Sequence, residues 1–243
     1  MVTAWPVAGK RKSADICAAF IRGAEKSSAK SSVFYGVDDS NMDAWLRVKA
    51  QREDYFYVDN SYFDVTRSTH FRVTKNSLQH SGLGYSTGDR FRRTRLKIQP
   101  WRTVGNHIVV CPQSDQFMRD LANYEGDWLI NTQIALAAIT VRPLRIRTWD
   151  RDKLALSKTL LDDLRGAWAL VTYSSAAAIA ALIEGIPTIS KTGAAAYMGN
   201  DLSAVERPMM RDDRERFFGV LADHQFTLDE MAEGRAWRVI NGQ

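Results

Sequence analysis

The chain has 243 residues but only two cysteines and four histidines. Cys17 and Cys111 form no disulfide framework and lack the paired spacing of a zinc site. His70, His80, His107 and His224 are scattered, none at ligand spacing from another, so no metal site is expected. No apolar run reaches the roughly 18 residues a membrane-crossing helix needs. The opening stretch, MVTAWPVAGKRKS, carries its charges after its apolar residues, which is not the order of a secretory signal. A reducing, cytoplasmic setting is the resulting expectation. A phosphate-binding P-loop is missing too, because Gly9-Lys10 lacks the upstream glycine and a Lys-Ser/Thr pair at the right spacing.

The rest of the composition is that of a globular protein, with 45% apolar and 25% charged residues and a net charge of +5. The length suits one large or two small domains. The charge is unevenly spread. Between Phe71 and Arg102 the bases are Arg72, Lys75, Arg90, Arg92, Arg93, Arg95, Lys97 and Arg102, against the single acid Asp89. Phe71, Tyr85, Phe91 and Trp101 are interleaved with them, a composition that suits a polyanion. A solvated basic face is the plainer alternative.

Periodicity predicts strand Val2 to Val7, a helix from about Ala14 to Lys26, strand Ser31 to Val37, a helix from about Met42 to Arg52, and strand Asp54 to Val58. That order reads as a parallel α/β half. Residues 66–105 break the rhythm, with a strand-like HFRVTK, a glycine-containing loop at Ser81 to Asp89 and then the basic stretch, and are read as a functional excursion ending in a linker. The rhythm then restarts, with strand Asn106 to Cys111, a helical pattern over Asp120 to Ala138, strand Leu144 to Thr148 and helix Leu154 to Arg165. Next comes WALVTYSSAAAIAALIEGIPTI, Trp168 to Ile189, which reads as strand, hydroxyl-bearing loop, helix, Gly185 stop and second strand. The final segment, Asp212 to Asn241, reads as two amphipathic helical pieces, the second opened by a Thr227–Glu230 capping box. The expected domains are therefore 1–104 and 105–243.

In open α/β sheets, ligands bind beyond the carboxyl ends of the strands. The exit loops there carry Asp38-Asp39, Asp59-Asn60, Pro112-Gln113-Ser114, Arg147 and Tyr173-Ser174-Ser175. Ser174 and Ser175 stand at a helix start, where free N–H groups and the helix dipole suit a phosphate. The same serines could equally serve only as caps.

The Trp168–Ile189 stretch, through Thr172, Ser174, Ser175, Gly185 and Pro187, resembles the C-terminal signature of capsule-polysaccharide and Kdo-transferase-like proteins. The turn Asp59-Asn60-Ser61-Tyr62 resembles an Asp-Asn/His-Gly-Tyr turn of their N-terminal half, with Ser61 in place of Gly. The pattern also resembles glycosyltransferase-like proteins of bacteriophages. Many GT-B enzymes carry a ribose-binding Glu where this chain has Ala180.

The resemblance implies an α/β fold of two Rossmann-like domains in the GT-B plan, facing a cleft, with a C-terminal helical segment. It implies transfer of a sugar from a nucleotide-sugar co-substrate to an acceptor hydroxyl, with no bound cofactor and no metal. Donor-side candidates are Thr172, Ser174, Ser175, Arg147, Arg145, Gln113 and Ser114. Asp59, then Asp39, are the candidates for the catalytic base. One acceptor to test is a hydroxymethylated base in double-stranded phage DNA, its phosphates met by Arg90, Arg92, Arg93, Arg95 and Lys97, in the host cytoplasm. A polysaccharide acceptor, a nucleotide-sugar epimerase and a non-catalytic GT-B-like module that binds nucleic acid or a partner are the other readings. Oligomeric state is left open.

Overall fold

A computed structural model describes residues 1–24, 30–148 and 159–242. The chain forms two compact units. The first contains Met1–His80, Gly84–Thr94 and Phe218–Gln243; the second contains Ser81–Leu83 and Arg95–Phe217. This differs from the expected 1–104 and 105–243 division, because the C-terminal segment returns to the first unit.

The first unit opens with strand β1 (Val2–Ala4), helix α1 (Arg11–Gly23), strand β2 (Ser31–Tyr35), helix α2 (Met42–Ala50) and strand β3 (Asp54–Asn60). The three strands are parallel, as the alternation predicts. Of the expected Ala14 to Lys26 helix, residues 25 and 26 lie outside the described residues. The strand-like HFRVTK of the excursion is a strand, β4 (Phe71–Lys75), and it joins the first unit's sheet antiparallel to β3. Its alternating Phe71 and Val73 are buried in the core, which is why it pairs rather than loops out. A short helix, α3 (Asp89–Arg93), follows. The sheet order is β1-β2-β3-β4-β9, where β9 is the two-residue strand Gln225–Phe226.

Ile16, Cys17 and Phe20 of α1 pack with Val33, Phe56, Val58, Phe71, Val73 and Phe226 of this sheet. Helices α8 (Leu228–Ala232) and α9 (Arg235–Ile240), which follow helix α7 (Arg214–Asp223), add Met231, Ala236 and Trp237 to that core. The Thr227–Glu230 capping box opens α8 as expected. Trp45 of α2 meets Phe34, Tyr55 and Tyr57 edge-on at 5.0–6.0 Å between ring centroids.

The second unit contains a wholly parallel sheet. Its elements are β5 (His107–Cys111), a π-helical turn Phe117–Leu121, α4 (Trp128–Ala137), β6 (Leu144–Ile146), α5 (Leu160–Leu164), β7 (Ala167–Thr172), α6 (Ala177–Ile183) and β8 (Thr188–Ser190). The predicted 120–138 helix is split, with α4 starting only at Trp128 behind an Asp127 cap. Of the expected Leu154–Arg165 helix, residues 154–158 lie outside the described residues. The remainder is α5, opened by a Thr159–Asp162 capping box. The order β6-β5-β7-β8 buries Ile108, Val110, Ala169, Val171 and Ile189.

Gly185 ends α6 for two physical reasons. Its φ is +72°, and a Cβ there would meet the Pro100 carbonyl oxygen at 2.0 Å. That approach exists because Gln99 N–H donates to Ile183 O and Arg102 N–H to Gly185 O, fastening 99–102 to the helix end. Arg214 completes the seam, stacked 3.7 Å from the Trp101 ring and donating to Leu182 O. Gly185→Ala is expected to destabilise the protein by several kcal/mol, from strain and backbone collision together. Chemical denaturation of the variant, with the wild type as reference, measures this; an unchanged midpoint would refute the assignment.

Candidate functional site

Parallel strands send all their loops to one end, and a ligand crevice forms where neighbouring loops diverge. In the second unit the chain leaves β5, runs through α4 to β6 on one side, and crosses to β7 on the other. The divergence therefore lies between the exits of β5 and β7, at Pro112-Gln113-Ser114 and Tyr173-Ser174-Ser175.

These loops are joined by side chains. The buried Thr172 hydroxyl donates to Cys111 O at 2.6 Å and accepts the Ser175 N–H at 3.1 Å. Gln113 Nε2 donates to Ser174 Oγ at 2.7 Å across the same gap. Both loops are among the exit loops that the sequence singled out. Thr172, however, is consumed by backbone and positions the loops rather than meeting a ligand.

Three N–H groups at the start of α6, where free ones were expected, are already taken. The Ser175 N–H is taken by Thr172, the Ala177 N–H by Ser175 Oγ at 3.2 Å, and the Ala178 N–H by Ser175 O. Ser114 similarly accepts the Phe117 N–H at 3.2 Å and starts the π turn. Arg147 is paired with Asp163 at 2.6 Å. Arg145, on the edge strand β6, is exposed and has no side-chain partner among the described residues.

Beside the β5 exit lies a cavity of about 610 Å³. Its walls include Gln113, Ser114, Arg119, Tyr124, Trp128 and Thr148. This volume lies in the range of small-molecule sites. Tyr173 meets Tyr124 and Trp128 edge-on, with ring centroids at 5.7 and 6.2 Å, so three aromatics stand together between the cavity and the β7 exit. Sequence reading missed Arg119, Tyr124 and Trp128. Arg119 lies just before, and Tyr124 and Trp128 inside, the continuous helix expected over 120–138, although Gly126-Asp127 was a visible break-and-cap signal. Burial pushes the Cys111 thiol up to about 12, so it is no nucleophile at neutral pH. Among the described residues no group of three or more His, Cys, Asp or Glu could hold a metal.

In the first unit the two candidate bases separate. Asp59 has both carboxylate oxygens engaged: Oδ1 accepts the Asn60 N–H at 2.7 Å and Oδ2 is held by Arg72. Arg72 is buried and stacked 4.7 Å from the Tyr62 ring. Asp39 is exposed, and its carboxylate has no partner among the described residues; the adjoining turn is made by Asp38 and Asn41.

The basic stretch divides too. Arg90 is not a surface phosphate contact. Its guanidinium is 13% exposed, forms a two-pronged pair with Glu230 at 2.6 and 2.8 Å, and donates to Ala222 O and Gln225 O. Arg92 is exposed and pairs with Asp89 at 2.6 Å. Arg93, Arg95 and Lys97 are exposed without side-chain partners among the described residues.

No family model matches the chain, and no curated protein matches it. Among solved structures it is similar to the β-Kdo 2,7 transferase of Thermosulfurimonas dismutans KpsC, over 99% of this chain and 98% of that one. The TM-score is 0.55 and the identity 13%. The β-Kdo 2,4 transferase of the same KpsC is similar over 84% of this chain and 83% of that one, with TM-score 0.48 and 15% identity. The first likeness shows a shared α/β fold, to which the parallel strands of both units belong. Nothing in these comparisons bears on a phage origin or on DNA.

The Arg90–Glu230 pair yields a pH prediction. Burial alone would raise the Glu230 carboxyl, but the hydrogen bonds from Arg90 and the Thr227 N–H outweigh it and bring it down to about 2. A depressed folded value stabilises the protein above the ordinary carboxyl range, and that stability is lost as pH falls from about 4.5 towards 2. Glu230→Gln is expected to flatten this part of the stability-versus-pH curve. Arg90→Met, which leaves the half-buried Glu230 carboxylate with only Arg235 at 3.3 Å and the Thr227 N–H, is expected to cost about 2 kcal/mol at neutral pH. Denaturation across pH checks both.

Proposed function

We propose that the chain is a glycosyltransferase that takes its sugar from a nucleotide-sugar, in the GT-B plan, with the donor nucleotide held in the cavity beside β5. The observation that carries this reading is the Gln113–Ser174 bond across the switch point, next to a ligand-sized cavity with an aromatic wall. Tyr124 and Trp128 offer apolar surface to a nucleobase. Gln113, Ser114 and Ser174 offer hydrogen bonds to the ribose and phosphates. Arg145, and Arg119 from its exposed pair with Asp120 at 2.9 Å, offer charge to the departing diphosphate, which develops negative charge as the glycosidic bond breaks. Thr172, Ser175 and Arg147 act one step back, as positioning residues for the two loops.

Of the two carboxylates, Asp39 is the better candidate for accepting the acceptor's proton, because Asp59 is bound on both oxygens. The likeness to a Kdo transferase favours a glycan acceptor. The DNA reading rests on Arg92, Arg93, Arg95 and Lys97 alone, since Arg90 is a buried structural cation.

A thermal-shift panel of nucleoside mono- and diphosphates tests the donor half. A ligand at a hundredfold over its Kd adds about 2.7 kcal/mol, on the order of 5–10 °C for a chain of this size. Such a rise is expected with at least one nucleotide, and Trp128→Ala or Arg119→Ala is expected to weaken that nucleotide's Kd at least tenfold. No rise across the panel would favour a non-catalytic module. Incubating the stabilising nucleotide's sugars with glycan or hydroxymethylated DNA acceptors, followed by mass spectrometry, separates the two acceptor readings.

A further inference from the structure

Three cations follow one another where α1 begins: Lys10, Arg11 and Lys12. Two have carboxylates, Lys10 with Asp38 at 3.3 Å and Arg11 with Asp15 at 3.6 Å. Lys12 faces no carboxylate among the described residues. Its ammonium is nevertheless held in place, 5.5 Å from the Tyr35 ring centroid, 5.1 Å from that of Phe71, and 3.1 Å from Asn60 Oδ1. The Tyr35 hydroxyl donates to the same Asn60 oxygen at 3.0 Å. Tyr35 ends β2 and Asn60 ends β3, so the group sits at the carboxyl ends of the first unit's parallel strands.

The unused hydrogen-bonding capacity of this group is nearly all of one kind. A lysine has only donors, so its partner atom on Asn60 is the carbonyl oxygen, and the amide NH₂ is thereby turned outward with two donors. The ammonium has further donors beyond the one given to Asn60. Neither the Asn60 NH₂ nor the rest of the ammonium has a partner among the described residues. A fixed cation without a counter-charge, beside a spare two-donor amide, matches a ligand that is anionic and only accepts hydrogen bonds.

We propose that Lys12 and Asn60, steadied by Tyr35 and Phe71, form an oxyanion subsite in the first unit that takes a phosphate or carboxylate group. The assignment stands apart from the transferase reading and holds or fails without it. Amide and side-chain NMR spectra of the full chain test it, titrated with inorganic phosphate in one arm and acetate in the other, at constant ionic strength against chloride. Saturable shifts are expected at the Asn60 side-chain amide and around Lys12, and the tighter arm identifies the group as phosphoryl or carboxyl. Lys12→Met and Asn60→Asp are each expected to weaken binding at least tenfold, while Arg11→Met leaves it unchanged. Lys12→Arg is expected to retain binding within a few fold, and an otherwise unaltered amide spectrum shows that each variant is folded. Non-saturable shifts in both arms, or shifts that survive both Lys12→Met and Asn60→Asp, overturn the proposal.

Discussion

The second unit depends on one hydroxyl. Thr172 donates to the last carbonyl of β5 and accepts the N–H of Ser175, so one side chain ties two strand exits and the start of α6 together. Parallel sheets push their exit loops apart wherever strand order reverses, and such a gap holds a shape only when something bridges it. Thr172 does this beneath the surface and Gln113–Ser174 does it above. With the exits fixed, the π turn and the Asp127-capped α4 wall off the cavity; Tyr124 and Trp128 line it, and Tyr173 packs edge-on against both.

The first unit is built differently. Its three parallel strands run in one direction of order, so they create no reversal, and the sheet is extended by two antiparallel pairings instead, β4 on β3 and β9 on β4. Its polar chemistry is mostly bound up in structure. Arg90 is committed to Glu230, and Arg72 to Asp59 and Tyr62. Against that background Lys12 and Asp39, at the strand exits and without a counter-charge among the described residues, stand out. This contrast separates residues that hold the fold from residues available to a ligand.

Much of the framework was legible from periodicity, because the strands are short apolar runs bounded by Gly, Pro and Asp-Ser punctuation. The βαβ unit around Ser174 is an example, and so is the Thr227–Glu230 capping box. Three things were not legible. HFRVTK reads as a strand, but its antiparallel pairing with β3 is a choice that local composition does not show. The return of the C-terminal helices to the first unit depends on Met231 and Trp237 fitting a core whose other members lie far away in sequence. At the site, spacing found the loops but not the partners. Serines at a helix start look the same whether their N–H groups are free or filled, and an arginine in a basic run looks the same whether it faces solvent or Glu230.

The central claim is that the β5–β7 switch point is the ligand-binding centre. Hydrogen–deuterium exchange, run with and without the nucleotide that binds tightest, tests it most directly. The account requires added protection in peptides covering 112–129 and 172–178, with little change in those covering the remainder of the second unit's sheet. Protection elsewhere with none in these two segments would contradict it.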